Sequence, residues 1–156
     1  MCINMNLNSF SAPMPLVKLK GYNPKTKTDE VELLEDFGFF SLRTGKLYIA
    51  KVGFIFDGAS IPKWAWSLIG HPLSSFYIRS ALIHDLLYVA ELESREICDL
   101  IFRDMLEADR VKRWKINPMY AAVYVGGGFV WDDHERKNVI NYRSEFAEVK
   151  IYEKVN

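Results

Sequence analysis

The chain has 156 residues, 49% hydrophobic and 26% charged, which fits one soluble globular domain and excludes a disordered or low-complexity polypeptide. Lys+Arg and Asp+Glu both number 20, so the formal net charge is zero, and the basic excess of a nucleic-acid-coating protein is absent. Two cysteines, Cys2 and Cys98, make neither a disulfide framework nor a CxxC pair.

In chain order, residues 1–14 are Asn- and Ser-rich and read as an N-terminal arm. They lack the basic start and long apolar core of a signal peptide. Leu16–Leu19 predicts a short strand, 21–28 a polar turn, and Val31–Leu34 and Phe37–Leu42 two further strands. Arg43-Thr44-Gly45 predicts a hairpin turn into a long strand, Leu47–Phe56.

The pattern then becomes helical. Pro62 opens a short helix over Lys63–Ile69, which Gly70-His71-Pro72 breaks. A second helix is predicted over 75–91, with Ser74 or Ser75 as its cap, and a third over Arg95–Ala108, capped by Ser94. Asn117-Pro118 predicts the start of another helix, running to about Val125, where Gly126-Gly127-Gly128 ends it. After Trp131 the chain is polar, with a last strand candidate at Phe146–Tyr152. The expected fold is α+β: an N-terminal antiparallel sheet, a helical hairpin, a further helix and a polar C-terminal tail. The expected organisation is an arm (1–14), one domain (15–130) and a tail (131–156). The longest apolar run, Met119–Trp131, falls short of the roughly 20 residues of a bilayer span.

Chemistry concentrates in Ser80-Ala81-Leu82-Ile83-His84-Asp85-Leu86-Leu87-Tyr88. An imidazole and a carboxylate stand side by side in an apolar helical run, where burial without partners costs several kcal/mol or shifts a pKa. On a helix His84 and Tyr88 share a face and Asp85 points to the next. The link to the following helix is short, so the two helices are antiparallel neighbours. Counted from Leu92, His84 lies eight residues before and Asp99 seven after, which places them at nearly equal height. A His84–Asp99 hydrogen bond would orient the ring, and His84 would then serve as general base on water. Asp85 is left to hold a hard divalent cation such as calcium. The competing interpretation is a purely structural polar pair.

Upstream, Phe56-Asp57-Gly58-Ala59-Ser60-Ile61-Pro62 joins a strand to a Pro-initiated helix. Backbone amides of Gly58, Ala59 and Ser60 can form an oxyanion-binding bend, and Asp57 is a second candidate metal ligand. Ser60 is alternatively a helix cap, and no G-x-S-x-G elbow exists to make it a hydrolase nucleophile. Asp132-Asp133-His134-Glu135 lacks metal-ligand spacing and reads as a solvated turn.

The order Phe-Asp-Gly-Ala-Ser-x-Pro (56–62), His-Asp-x-x-Tyr (84–88) and Asp-x-x-Phe (99–102) resembles a family of small phage and prophage proteins, domain of unknown function 1353. The resemblance spans roughly residues 15–130 and implies a phage or prophage source, in the host cytoplasm or the virion, without implying an activity. Locally, the His-Asp-x-x-Tyr helix followed by an Asp on an antiparallel helix is similar to the core of secreted phospholipases A2. That similarity implies His84 as the base, Asp85 as a calcium ligand, Asp99 as the orienting acid and Tyr88 as its support. The chain departs from those enzymes in having no disulfide framework and no calcium loop of their usual pattern.

Two functions are therefore expected as alternatives. One is a metal-assisted His/Asp hydrolase acting on an ester or amide of a cell-envelope component. The other is a non-enzymatic tail, baseplate or assembly protein in which the polar cluster is structural. In the second case residues 1–14 and 132–156 would contact other phage proteins.

Overall fold

The computed structural model describes residues 3–58, 61–73, 77–132 and 136–152. Its elements in chain order are β1 (Ser9–Phe10), β2 (Val17–Asn23), β3 (Thr28–Leu33), β4 (Phe37–Ser41), β5 (Lys46–Ala50) and β6 (Ile55–Phe56). There follow α1 (Lys63–Ile69), α2 (Ile78–Val89), α3 (Arg95–Ala108), α4 (Arg113–Asp132), α5 (Arg136–Glu145) and β7 (Ala147–Ile151). The class is α+β, with antiparallel strands leading into helices as expected. The candidate caps Ser74 and Ser75 lie outside the described residues, as do Ala59, Ser60 and Asp133-His134-Glu135.

The strands form two sheets, ordered β1-β4-β5-β7 and β2-β3-β6, and all their pairings are antiparallel. Two strand boundaries differ from the sequence reading. The stretch 21–28 is not one turn. β2 runs on to Asn23 because a register shift between Leu19 and Gly21 absorbs the irregularity, with Gly21 at φ +147. The segment 47–56 is not one strand either. It breaks after Ala50, Gly53 turns with φ +88, and β6 leaves the first sheet for the second.

That sheet switch positions the site. β6 pairs with β3 (Val31 with Phe56, Glu32 with Ile55), so the Asp57-Gly58 bend emerges against α2. Between the layers lies one continuous core, including Leu33, Phe37, Phe39, Tyr48 and Phe54 from the strands and Leu82, Leu86, Phe102 and Met105 from the helices. Aromatic side chains supply much of the buried area, as their 14% share of the composition suggests.

The α2–α3 pair is an antiparallel hairpin, and its contacts run in opposite chain directions. Ser80 meets Asp109, His84 meets Asp99, and the Leu87 carbonyl accepts from Cys98 Sγ. Ser94 caps α3 by accepting from the Ile97 amide at 3.4 Å.

α4 departs most from expectation. It begins at Arg113, carries Pro118 inside it, and passes through all three glycines to Asp132. Gly126–Gly128 therefore do not end the helix. A Cβ at Gly126 would lie 2.2 Å from Pro62 Cγ, and one at Gly127 2.3 Å from the Tyr88 hydroxyl. Close approach, rather than a left-handed cap, is the reason for glycine there.

Described segments near both termini are built into the body. β1 pairs with β4, and Arg79 on α2 donates to the carbonyls of Ala12 and Pro13 while stacking on the Phe10 ring. The stretch read as a polar tail carries α5 and β7. β7 pairs with β5 along its full length, and Arg143 of α5 donates to the carbonyls of Ala90 and Glu91 in the α2–α3 link. Among the described residues, no helix is long and apolar enough to cross a membrane.

Candidate functional site

His84 meets Asp99 as the equal-height count about Leu92 predicts, and Tyr88 joins them. His84 Nε2 lies 3.2 Å from Asp99 Oδ1, and the Tyr88 hydroxyl donates to the same oxygen at 2.5 Å. The His84 ring packs against the rings of Tyr88 (4.3 Å between centroids) and Phe102 (4.7 Å). All three polar residues have a relative exposure of 0%.

Charge fixes the protonation pattern. Burial lowers the His84 pKa below its ordinary 6.5, and the Asp99 hydrogen bond and charge offset this only in part. The imidazole is therefore neutral at neutral pH, and Nε2 carries the proton that reaches the carboxylate. Burial, together with the neighbouring acid, raises the Tyr88 pKa far above the ordinary phenol value, so its hydroxyl remains a donor. Asp99 thus has two neutral donors on Oδ1. Among the described residues its Oδ2 makes no hydrogen bond, but it lies 3.6 Å from the Arg95 guanidinium, one helical turn earlier. A buried carboxylate served this way avoids most of the cost of an isolated charge.

Asp85, on the next face of α2, is 4% exposed and turns to the bend after β6. Its Oδ2 accepts from the Gly58 amide at 2.7 Å and the Asp57 amide at 3.3 Å. Gly58 takes φ +72, and a Cβ there would meet Pro72 Cβ at 2.3 Å, so both conformation and space demand glycine. Asp57 Oδ2 accepts from the Thr28 hydroxyl at 2.6 Å. The amide of Gly58, expected to face an oxyanion, is therefore directed at a carboxylate of the protein itself. Ala59 and Ser60, the other two residues of that expectation, lie outside the described residues.

A cavity of about 600 Å³ opens beside this cluster. Asp57, Asp85 and Tyr88 line it, with Phe56, Phe129 and Tyr142 among its apolar walls. Glu30 and Lys63 add one charge of each sign. His84 and Asp99 are not among the lining residues. Among the described residues, no group of three or more His, Cys, Asp or Glu side chains could hold a metal ion. Asp85 reaches Asp57 through the Asp57 backbone amide, and each aspartate has a carboxylate oxygen engaged by hydrogen bonds from the chain.

Several site features are not legible in the one-dimensional pattern. Phe129 lies past the predicted helix stop at Gly126–Gly128 and Tyr142 in the stretch read as a tail, and only the tertiary path of α4 and α5 brings them to the cavity. Asp109, at the end of α3, receives Ser80 and Arg79 of α2 and closes the far end of the hairpin. Its pKa is raised by burial, against the pull of those two partners. The equal-height count about Leu92 that found Asp99 places Arg103 or Asp104 opposite Ser80, so it does not find Asp109.

The family model described as "Protein of unknown function (DUF1353)" matches residues 31–123, which include the bend, both helices of the hairpin and the first half of α4. The chain is 38% identical over 98 residues to "Uncharacterized protein y4jT" of Sinorhizobium fredii, a match that covers 62% of this chain and 28% of that protein. It is 28% identical over 124 residues to "Uncharacterized protein y4iH" of the same organism, covering 80% of this chain and 49% of that protein. The chain thus spans from about a quarter to about half the length of these curated relatives. No solved structure matches it. The chain belongs to the DUF1353 family of proteins of unknown function.

Proposed function

We propose that the His84–Asp99–Tyr88 cluster is a structural clamp, and that the protein is a non-enzymatic phage- or prophage-derived component of a virion or its assembly. The observation that carries this reading is the complete burial of His84 and Asp99 together with their absence from the cavity wall. A general base must reach the proton it removes, directly or through one water. Here the imidazole is enclosed by Tyr88 and Phe102, and its Nε2 is committed to Asp99. Asp85 holds the bend after β6 through backbone amides, a task that suits a scaffold. The phage or prophage origin, and with it a place in the host cytoplasm or the virion, rests on the motif resemblance.

β1 and β7 are paired in the sheet, so within those strands contacts to other phage proteins, expected through 1–14 and 132–156, would use the outward faces. The partly matched, longer relatives support a domain that works as a module beside other parts.

A hydrolase remains the second reading, favoured by one observation: Asp57, Asp85 and Tyr88 line a common cavity. In it, a divalent cation at Asp85 and Asp57 would activate water on an envelope ester or amide. The two readings part in one experiment. Wild type and His84→Gln are compared for melting temperature and for turnover of chromogenic esters and amides with and without calcium. The clamp reading expects a lower melting temperature for the variant and no calcium-dependent turnover in either protein. Turnover lost in a variant that melts like wild type would overturn it.

A further inference from the structure

The fold leaves an unguarded strand edge at β7. In the sheet ordered β1-β4-β5-β7 this strand is terminal, and among the described residues no strand pairs with its outer side. Sheet edges are ordinarily blunted by brevity, by lysines or by irregular register. The other edges carry such devices. β1 and β6 have two residues each, and β2 has Lys18, Lys20 and the register shift between Leu19 and Gly21. β7 keeps an unbroken register with β5 from Ala147 to Ile151, and its lysine, Lys150, is paired with Glu148 at 3.3 Å.

The hydrogen-bonding direction along that edge is set at the ends of the strand. The Phe146 carbonyl accepts from the Lys51 amide at 2.9 Å, and the Tyr152 amide donates to the Gly45 carbonyl at 3.1 Å. Backbone groups alternate in direction along a strand, so Glu148 and Lys150 also address β5, while Ala147, Val149 and Ile151 direct their amides and carbonyls outward. Side chains alternate between the two faces with the same period. Glu148 and Lys150 stand on the face of their register partners Ile49 and Leu47, with side chains 40% and 49% exposed. Val149 and Ile151 stand on the opposite face and are 38% and 73% exposed.

We propose that β7 pairs with β7 of a second copy of this chain, antiparallel about a two-fold axis at Val149, joining two four-stranded sheets into one. The strand Ala147-Glu148-Val149-Lys150-Ile151 is self-complementary in that register. Val149 meets Val149 of the second copy and Ala147 meets Ile151, so each outward amide and carbonyl of the strand finds a partner. On the other face Glu148 meets Lys150 on both sides of the axis, in the close, non-hydrogen-bonded pairs. A two-fold axis at Glu148 or at Lys150 would set like charges directly opposite each other. Charge complementarity thus selects both the occupant and the register. No residue of the buried cluster takes part, so the pairing is independent of how that cluster functions.

An interface of one strand pair is small, below about 1,200 Å², and reversible. The test is therefore sedimentation velocity of the full chain at low salt, from micromolar to submillimolar concentration. Wild type is expected to pass from monomer to dimer. Glu148→Lys and Lys150→Glu each place like charges across the axis and should each raise the dissociation constant at least tenfold. An equimolar mixture of the two variants should recover association, because opposite charges again face each other. Melting temperatures establish that each variant folds. Amide exchange of wild type gives a reading that needs no variant: Val149 and Ile151 should be protected in concentrated solution and exposed on dilution, while Glu148 and Lys150, bonded to β5, should not change. A monomer at submillimolar concentration, a dimer indifferent to both single variants, a mixture no stronger than either variant alone, or exchange at Val149 independent of concentration would overturn the proposal.

Discussion

Gly127 of α4 stands so close to Tyr88 of α2 that an added methyl carbon would fall 2.3 Å from the phenol oxygen. A helix would ordinarily gain about 1 kcal/mol from replacing an interior glycine with alanine. At Gly127 overpacking reverses the sign. Gly127→Ala should destabilise by about 1–3 kcal/mol, the usual cost of overpacking a filled core. Gly128→Ala, where nothing lies within 4 Å of the added carbon, should stabilise slightly. Chemical denaturation of the two variants checks the contrast. Adding Tyr88→Phe to Gly127→Ala should recover part of the loss, because the oxygen in the way is then gone.

Removing the hydroxyl alone has a different cost. Tyr88→Phe leaves Asp99 Oδ1 with His84 as its one remaining hydrogen-bond partner among the described residues, and the acid stays buried. A loss of about 1–3 kcal/mol is expected, the range for a buried polar group deprived of a partner. Asp99→Asn in the Tyr88→Phe background should cost less than the sum of the two single changes, which a double-mutant cycle measures.

Stability should fall on mild acidification. The native His84 pKa lies below the unfolded value of about 6.5. Below that value the unfolded chain binds a proton that the folded chain refuses, so the stabilisation is complete above pH 6.5 and is lost as pH falls toward the native pKa. Denaturant midpoints between pH 7.5 and 5.5 should decline for wild type and decline less for His84→Gln. Identical slopes would contradict the assignment.

Asp85→Ala removes the acceptor of the Gly58 and Asp57 amides. Loss of a charged acceptor for buried backbone donors should cost about 1.5–3 kcal/mol. Because the bend is local, the change should also raise amide exchange at Gly58 more than at β5, as hydrogen–deuterium exchange can read residue by residue.

The contact at the centre of the fold was visible in the chain as text. A short link after α2 and the spacing of His84 and Asp99 about Leu92 were sufficient to place an imidazole against a carboxylate, because helical rise is uniform and hairpins are antiparallel. The strands were legible where alternation and turns were strong, as at Phe37–Ser41. Legibility failed where one residue type serves two purposes. Gly126–Gly128 has the composition of a helix stop, yet two of these glycines face Pro62 and Tyr88, which only tertiary packing reveals. Pro118 suggested a helix start, yet it sits inside α4. The charged stretch after Trp131 concealed α5, whose polar surface follows from its outer position. Exposure of the site was likewise beyond the pattern. Nothing in His-Asp-x-x-Tyr distinguishes a ring facing a cavity from one sealed behind it.

Nitrogen-resolved NMR of the His84 imidazole across pH 5 to 8 addresses the buried clamp most directly. The account predicts a ring that is neutral at pH 7 and protonated at Nε2, with a titration midpoint below the ordinary histidine value and a ring proton slow to exchange with water. A ring that titrates near the ordinary histidine value, with a rapidly exchanging proton, would contradict it and return His84 to the role of an accessible base.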